Sequence, residues 1–175
     1  TLFFDADIDL HISEIYDHPQ CPTAPQFYVS CPSKTDAHVA PAGCENLFIL
    51  IPVAPDLEDS ERIREKYFSM VIARLEKLTG ERILDHIIYK RSYGHNDFIS
   101  DYNAFKGNAY GLANTLLQTA NFKPGIVNKK MRNFFYTGQL TVPGPGLPPA
   151  LISGQVTAAT LIKQHHQEVA KHTGL

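Results

Sequence analysis

The stretch 133–156, NFFYTGQLTVPGPGLPPALISGQV, decides how the C-terminal part of this chain folds. The apolar, β-forming run Phe134–Thr137 predicts a short buried strand that ends at Gly138. The sequence PGPG at 143–146 excludes regular structure, whereas Pro148–Pro149 suits the first turn of a helix, because the N–H groups that proline lacks would have no helical partner there. The stretch therefore predicts a strand, a glycine turn and a helix that begins near Pro148.

This arrangement would suit half of a cofactor site. The first turn of the predicted helix has no acidic side chain, and glycines before it let a flat ligand approach the backbone closely. Backbone N–H groups and the positive end of the helix dipole would then point at that ligand. A tight strand-to-helix connection without a ligand has the same local pattern, so these residues alone leave both interpretations open.

Together with the sequence around it, this stretch resembles the C-terminal flavin motif of the bacterial and fungal type phytoene desaturases. These enzymes are FAD-dependent and are more distantly related to the amine oxidases. The resemblance runs in order through nearly the whole chain. In the C-terminal part it rests on Gly138-Gln139, Thr141, Pro143-Gly144-Pro145-Gly146, Pro148-Pro149 and Leu151-Ile152-Ser153-Gly154. Upstream it rests on Thr35-Asp36, Ala40-Pro41, Gly43-Cys44, Pro52-Val53, Asp97-Phe98, Asp101-Tyr102-Asn103-Ala104, Gly107-Asn108-Ala109, Gly111-Leu112, Gln118-Thr119-Ala120 and Phe122-Lys123-Pro124.

The resemblance implies positions for the cofactor and for the substrate. Gly138 and Gln139 would lie by the ribityl or phosphate part of FAD, although many relatives carry a small or acidic residue where Gln139 stands. The flavin ring would lie beside Gly146, Leu147 and Pro148. The wall of a substrate channel would include Tyr110, Leu112, Leu116 and Leu117, which on residue type alone are ordinary core residues. No side chain is assigned a catalytic role.

The resemblance also implies the reaction, which is desaturation of phytoene or a related carotenoid by hydride transfer to flavin. The dinucleotide fingerprint G-x-G-x-x-G is absent from the chain. We therefore expect the C-terminal part of the enzyme, with residues 1–128 in a substrate-binding domain and 129–175 in an FAD-binding domain whose N-terminal half is missing. This chain alone should bind FAD weakly or not at all, and should be inactive.

Composition limits the other possibilities. The chain has 175 residues, a net charge of −2 and scattered Lys and Arg, which argues against a nucleic-acid partner. Three cysteines without a C-x-x-C pair suggest neither a disulfide framework nor a zinc site. We expect a cytoplasmic protein without a membrane span, whose full-length form contacts the membrane peripherally to reach an apolar substrate. A face exposed by the missing half would favour a dimer.

Elsewhere the chain predicts an α+β fold, in which a mixed, largely antiparallel sheet is covered by helices. The surest helix is Glu61–Leu78, with apolar residues at helical spacing and Gly80 as its cap. The predicted strands are Leu2–Leu10, Phe27–Cys31, Asn46–Val53 and Ile83–Lys90. A broken helix or a bend is expected over residues 97–120, and an exposed basic connection over Lys123–Arg132.

No metal site is predicted. The D-x-D-x-D sequence from Asp5 departs from an EF-hand loop at its sixth and twelfth positions, Leu10 and Tyr16. His165-His166 are adjacent on a helix and point in different directions. The functional alternatives to a desaturase are a carotenoid isomerase or saturase, which would share the flavin motif, and a non-catalytic module that binds an apolar lipid or a protein.

Overall fold

The computed structural model describes residues 1–112, 115–119, 122–131 and 133–173. The chain divides into two compact units, residues 1–108 and 109–175. The predicted domain boundary after residue 128 stays a prediction, because the compactness of these units does not test it. None of the helices in the described ranges is long and apolar enough to cross a membrane.

The first unit contains a three-stranded antiparallel sheet, which confirms the α+β fold. The strands are β1 (Leu2–Phe3), β2 (Phe27–Ser30) and β3 (Phe48–Leu50), in the order β1-β2-β3. In the central strand, Phe27 pairs with Phe3 and Val29 pairs with Ile49. The second and third strands are thus antiparallel neighbours in one sheet.

One long helix covers this sheet. After α1 (Ile8–Tyr16), helix α2 spans Glu61–Thr79, as predicted, and Gly80 caps it in the left-handed conformation at φ 76°. The buried core consists of Phe27 with Val71, Ile72 and Leu75. Partly buried residues packed around it are Phe3, Val29, Ile49, Ile51, Phe68, Ile83 and Ile87. The apolar stripe of α2 is therefore a core face.

In the first unit, three predicted strands differ from the structure. The first ends at Phe3, because the Asp7 carboxylate accepts hydrogen bonds from the Asp9 and Leu10 amides and caps α1. The strand predicted over Asn46–Val53 is confined to β3, an edge strand with Phe48 half exposed. Helix α2 covers one face of this sheet. The apolar side chains of β3 that point to the other face therefore need not be buried.

The third, Ile83–Lys90, is wrong. A 3₁₀ turn at Leu84–His86 replaces it. The Glu76 carboxylate at the end of α2 accepts hydrogen bonds from the Ile83 amide at 2.6 Å and the Leu84 amide at 2.8 Å, which turns the chain back. Ile83 and Ile87, which are four residues apart, then both pack against the core.

The predicted broken helix is confirmed within the described part of 97–120, which omits residues 113, 114 and 120. Helix α3 spans His95–Tyr102 and ends at Asn103 with φ 50°, and 3₁₀ turns follow at Phe105–Gly107 and Leu116–Gln118. Gly107 has φ 67°, and a β-carbon there would lie 2.6 Å from the His95 β-carbon. Only glycine fits this close approach.

The second unit is built on helix α4, which spans Leu147–Thr173 and confirms the predicted helix near Pro148. The strand predicted at Phe134–Thr137 is reduced to one antiparallel bridge between Phe135 and Val127. The Tyr136 amide donates to the Ile126 carbonyl at 2.7 Å. Among the described residues, the strand pairing of this segment does not extend beyond that bridge.

The segment Lys123–Arg132 is not simply the exposed connection that was predicted. Lys123 is 7% exposed and Ile126 is 9% exposed, because they lie under the segment that leads into the glycines. Lys129 and Lys130 are exposed, as expected. Arg132 lies outside the described residues.

Candidate functional site

The candidate site is the glycine turn, defined here as residues 138–146, together with the start of α4. Three glycines of the turn have positive φ, namely Gly138 at 97°, Gly144 at 141° and Gly146 at 110°. Other residues rarely adopt these values, so the sequence at these positions is dictated by the backbone path. The path returns the chain from Thr137 to the first turn of the helix.

Two hydroxyl groups of α4 fix the start of the glycine turn. The Gly138 amide donates to Ser153 Oγ at 3.0 Å, and Thr137 Oγ1 lies 3.4 Å from the same atom. Thr157 Oγ1 lies 3.1 Å from the Tyr136 carbonyl oxygen and 2.8 Å from the Ser153 carbonyl oxygen, and these two acceptors share its single hydrogen. Ser153 is fully buried. These hydrogen bonds hold the turn against the second and third turns of the helix.

The sequence interpretation did not assign Ser153 and Thr157 to the site. Their spacing of four residues puts both hydroxyls on one face of a helix, and this was the signal that could have found them. The partners of these two hydroxyls are the Gly138 amide and the Tyr136 carbonyl, and they can be identified only from the folded chain.

The middle of the glycine turn rests on the segment Lys123-Pro124. Thr141, which is 2% exposed, donates its hydroxyl to the Pro124 carbonyl at 2.7 Å. A β-carbon at Gly144 would lie 3.3 Å from Lys123 Cε, so the lysine side chain runs directly beside this glycine. The turn is therefore supported by a nearly buried lysine.

The start of α4 offers a ligand fewer backbone N–H donors than the sequence analysis predicted. Among its first three residues only Leu147 has a backbone N–H, because Pro148 and Pro149 lack one. The Ala150 amide donates to the Gly146 carbonyl at 3.0 Å, which closes the first helical turn. No acidic residue lies in this turn, so the helix dipole is not offset there.

The structure brings the predicted cofactor-contacting residues into one segment, although their roles stay predictions. The Gly138 N–H donates to Ser153 Oγ and is not available to a ligand. A ligand could therefore contact Gly138 only through the backbone surface that has no side chain. A β-carbon at Gly138 would meet no atom within 4 Å, so this face is open. Gln139 donates its side-chain amide to the Ala109 carbonyl at 3.1 Å. Gly146, Leu147 and Pro148 form the helix entry.

These residues fit a flat ligand with a negatively charged end. Open glycine backbone at Gly138 would accept an aromatic ring system at van der Waals distance, and the helix entry would stabilise negative charge. An isoalloxazine ring is flat and gathers negative charge at its pyrimidine end when it is reduced. The described residues contain no group of three His, Cys, Asp or Glu side chains placed to hold a metal ion.

The predicted channel residues are mostly at the surface. The exposed fraction is 61% for Tyr110, 82% for Leu116 and 74% for Leu117, whereas Leu112 is half-buried. Leu116 and Leu117 lie side by side in a 3₁₀ turn. Their role in a channel stays a prediction.

Asp59 and Asp97, two of the perturbed carboxyl groups of the first unit, belong to a structural ion-pair cluster around Arg64. Arg64, at the start of α2, contacts Asp59 at 2.6 Å and Asp97 of α3 at 2.7 Å. The hydrogen bond from Arg64 lowers the pKa of Asp59. The Gly94 amide and then Arg64 lower the pKa of Asp97. Each carboxylate already has its donors, so the cluster joins two helices and is not poised for proton transfer.

Comparison with known proteins finds carotenoid desaturases. Over 163 residues, 93% of this chain, it is 43% identical to the carotenoid 3,4-desaturase of Haloarcula japonica. The zeta-carotene-forming phytoene desaturase of Myxococcus xanthus is 31% identical over 96% of the chain, and a 4,4'-diapophytoene desaturase of Staphylococcus aureus is 28% identical over 97%. The chain spans about a third of the length of these relatives. No protein-family model matches it.

Proposed function

Since this chain belongs to the carotenoid desaturase family, we propose that it is the C-terminal part of an FAD-dependent enzyme that desaturates phytoene or a related carotenoid. The relatives are named as desaturases of carotenoids and match 93–97% of the chain. The observation that carries the cofactor part of the proposal is the glycine turn. It presents an open backbone face at Gly138 and leads into a helix whose first turn is free of acid.

The proposed reaction explains why a cofactor is needed. Desaturation removes two hydrogens from saturated carbons, and no side chain does this by acid–base chemistry at ordinary pKa values. Bound FAD would supply the chemistry by accepting a hydride equivalent. The protein would supply binding, orientation and electrostatics.

The start of α4 would favour the reduced cofactor. Its dipole and the Leu147 amide would stabilise nearby negative charge by about 0.3–2 kcal/mol. For a two-electron couple, the upper figure corresponds to a potential about 40 mV higher. This contribution adjusts the potential and does not provide the whole driving force.

The surface leucines would serve an apolar substrate. Leu116 and Leu117, with Tyr110 and Leu112, would line the channel and keep water from the reacting carbons. Apolar side chains exposed to water cost roughly 25 cal/mol per Å², which a carotenoid or another part of the protein would offset by covering them. Carotenoids reside in membranes, so we also propose peripheral membrane contact for the full-length protein.

The test is whether flavin is retained. The full-length protein that carries this chain, and the 175-residue chain itself, would be incubated with FAD, freed of unbound cofactor and examined by visible absorption. We expect flavin absorption from the full-length protein and none from the chain alone. If neither retains flavin, the glycine turn is structural and the proposal fails in favour of a module that binds an apolar partner.

A pair of substitutions localises the site. Gly138→Ala and Gly80→Ala each place a methyl group at positive φ with no atom within 4 Å, so their conformational costs of about 1–2 kcal/mol should be similar. Only Gly138→Ala should lower flavin retention in the full-length protein. Equal losses from both variants would show that folding, and not the site, is affected. Product analysis with phytoene would then separate desaturation from isomerisation and saturation.

A further inference from the structure

The glycine turn contacts the segment 109–112 through two consecutive side chains. The Gln139 side-chain amide donates to the Ala109 carbonyl at 3.1 Å. The next residue, Leu140, lies over Gly111, since a β-carbon on Gly111 would be 1.9 Å from Leu140 Cδ2. One polar and one apolar contact therefore join two segments that are 30 residues apart along the chain.

The path of residues 109–112 suits these contacts. The four residues belong to no helix or strand, so a regular backbone ladder does not set their position. Gly111 has a φ of 80°, which other residues rarely adopt, and any larger residue there would displace the Leu140 side chain. The backbone at Gly111 is thus shaped to receive a side chain from the glycine turn.

The same segment carries two of the residues proposed to line the substrate channel. Tyr110 is 61% exposed, and Leu112 is half-buried. Tyr110 lies between Ala109, which Gln139 contacts, and Gly111, which Leu140 covers. Loss of either contact would therefore move the Tyr110 backbone relative to the glycine turn.

We propose that the Gln139 side chain is a positioning group for the substrate and not a ligand of the cofactor. Its amide holds Tyr110 and Leu112 at a fixed place relative to the glycine turn, and so determines which carbons of the apolar substrate react. This inference rests on the proposed function. In the step concerned, the substrate loses one hydrogen as a hydride, which flavin accepts, and one as a proton, which water accepts, and a C=C bond forms.

Position and affinity should respond differently to the loss of this contact. Apolar burial is non-directional and follows the area covered, so a shift of the channel wall by about 1 Å leaves the affinity for the substrate nearly unchanged. Hydride transfer needs the reacting atoms within about 3–3.5 Å of each other, and a misplacement of about 1 Å lowers the rate by up to about 100-fold. A positioning residue therefore affects the chemical step and not the binding of substrate or flavin.

The test follows anaerobic reduction of the flavin bound to the full-length protein by phytoene or lycopene in phosphatidylcholine vesicles. Gln139→Met removes the donor at nearly constant length, whereas Gln139→Asn keeps an amide that is too short to reach Ala109. Gln167→Met is the matched control, an exposed glutamine of α4. We expect both Gln139 variants to slow the reduction about tenfold per bound flavin. Flavin retention and the half-saturating carotenoid concentration should change less than about threefold, and Gln167→Met should match wild type.

Hydrogen exchange of the full-length protein gives a second readout that needs no substrate and no turnover. The backbone amides of residues 110–112 should exchange at least about threefold faster in Gln139→Met than in Gln167→Met, because the segment has lost a contact that holds it. Gln139→Asn should behave like Gln139→Met, and it serves if the methionine variant folds poorly.

Three results would overturn the inference. Wild-type rates of flavin reduction or wild-type hydrogen exchange in both Gln139 variants would show that this side chain does not position the segment. Loss of flavin from the Gln139 variants, with retention in Gln167→Met, would place the side chain at the cofactor instead. A wild-type protein that retains no flavin, or whose flavin neither carotenoid reduces, would overturn the proposed function as well, and is recognised before any variant is made.

Discussion

Replacing Arg64 by alanine should remove the most strongly paired cation of the first unit. The guanidinium contacts Asp59 and Asp97 at 2.6 and 2.7 Å, and its side chain is 18% exposed, against 5% for Asp59. Removing Arg64 leaves the nearly buried Asp59 carboxylate and the partly exposed Asp97 carboxylate without their cation. We expect the free energy of unfolding to fall by about 3 kcal/mol, at the lower end of values for buried pairs because Asp97 is 31% exposed.

The assay is urea unfolding of the 175-residue chain, followed by far-ultraviolet circular dichroism. With an m-value of about 2 kcal/mol per molar urea, the loss lowers the midpoint by about 1.5 M. Arg62→Ala is the matched control, since Arg62 lies in the same helix and faces Glu58 at 3.9 Å with 79% of its side chain exposed. It should shift the midpoint by less than about 0.5 M.

The same cluster predicts a pH dependence. The folded-state pKa values of Asp59 and Asp97 are lowered from the ordinary value of 3.8, so the unfolded state binds more protons in that range. Their stabilising contribution is therefore present above about pH 4 and is lost as the pH falls through the folded pKa values. Arg64→Ala should lose less stability on acidification than wild type. Equal midpoints for Arg64→Ala and Arg62→Ala at neutral pH would refute this reasoning.

Three further substitutions test the packing. Ser153→Ala leaves the Gly138 amide without its acceptor and should destabilise the second unit by about 1–3 kcal/mol; full retention of both urea stability and flavin in the full-length protein would count against the role given to this hydroxyl. Leu75→Ala empties part of the core and should cost about 2–5 kcal/mol in urea unfolding, clearly more than Leu78→Ala at 46% exposure. Gly80→Ala should cost about 1–2 kcal/mol through its φ of 76° alone, and a smaller loss by calorimetry would show that the cap relaxes.

Local patterns with one strong cause were predictable. Helix α2 combines an apolar stripe with Gly80, and both the spacing and the cap act within a few residues. The entry of α4 follows from Pro148 and Pro149 in the same way. The strand predicted from Leu2 was too long, because the Asp7 carboxylate caps a helix at the position where the apparent alternation suggested further strand.

The candidate site was only partly predictable. Gly138 and Gly146 were identified from the family resemblance, and the structure adds that both have positive φ, which favours glycine. Lys123 was expected at the surface, since nothing near it in sequence shows that the glycine turn folds over it. Ser153 was missed as a site residue because its partner, the Gly138 amide, is 15 residues away and is set by the return of the chain.

The sequence by itself determined helix α2, the start of helix α4 and the glycine turn, because propensity, capping and backbone conformation depend on neighbouring residues. Only the tertiary structure decided which apolar runs are covered, which hydroxyls hold the turn and where the buried ammonium lies. Burial and hydrogen-bond partners depend on segments that are far apart along the chain. Thr141 and Pro124, 17 residues apart and joined by a hydrogen bond of 2.7 Å, show this most directly.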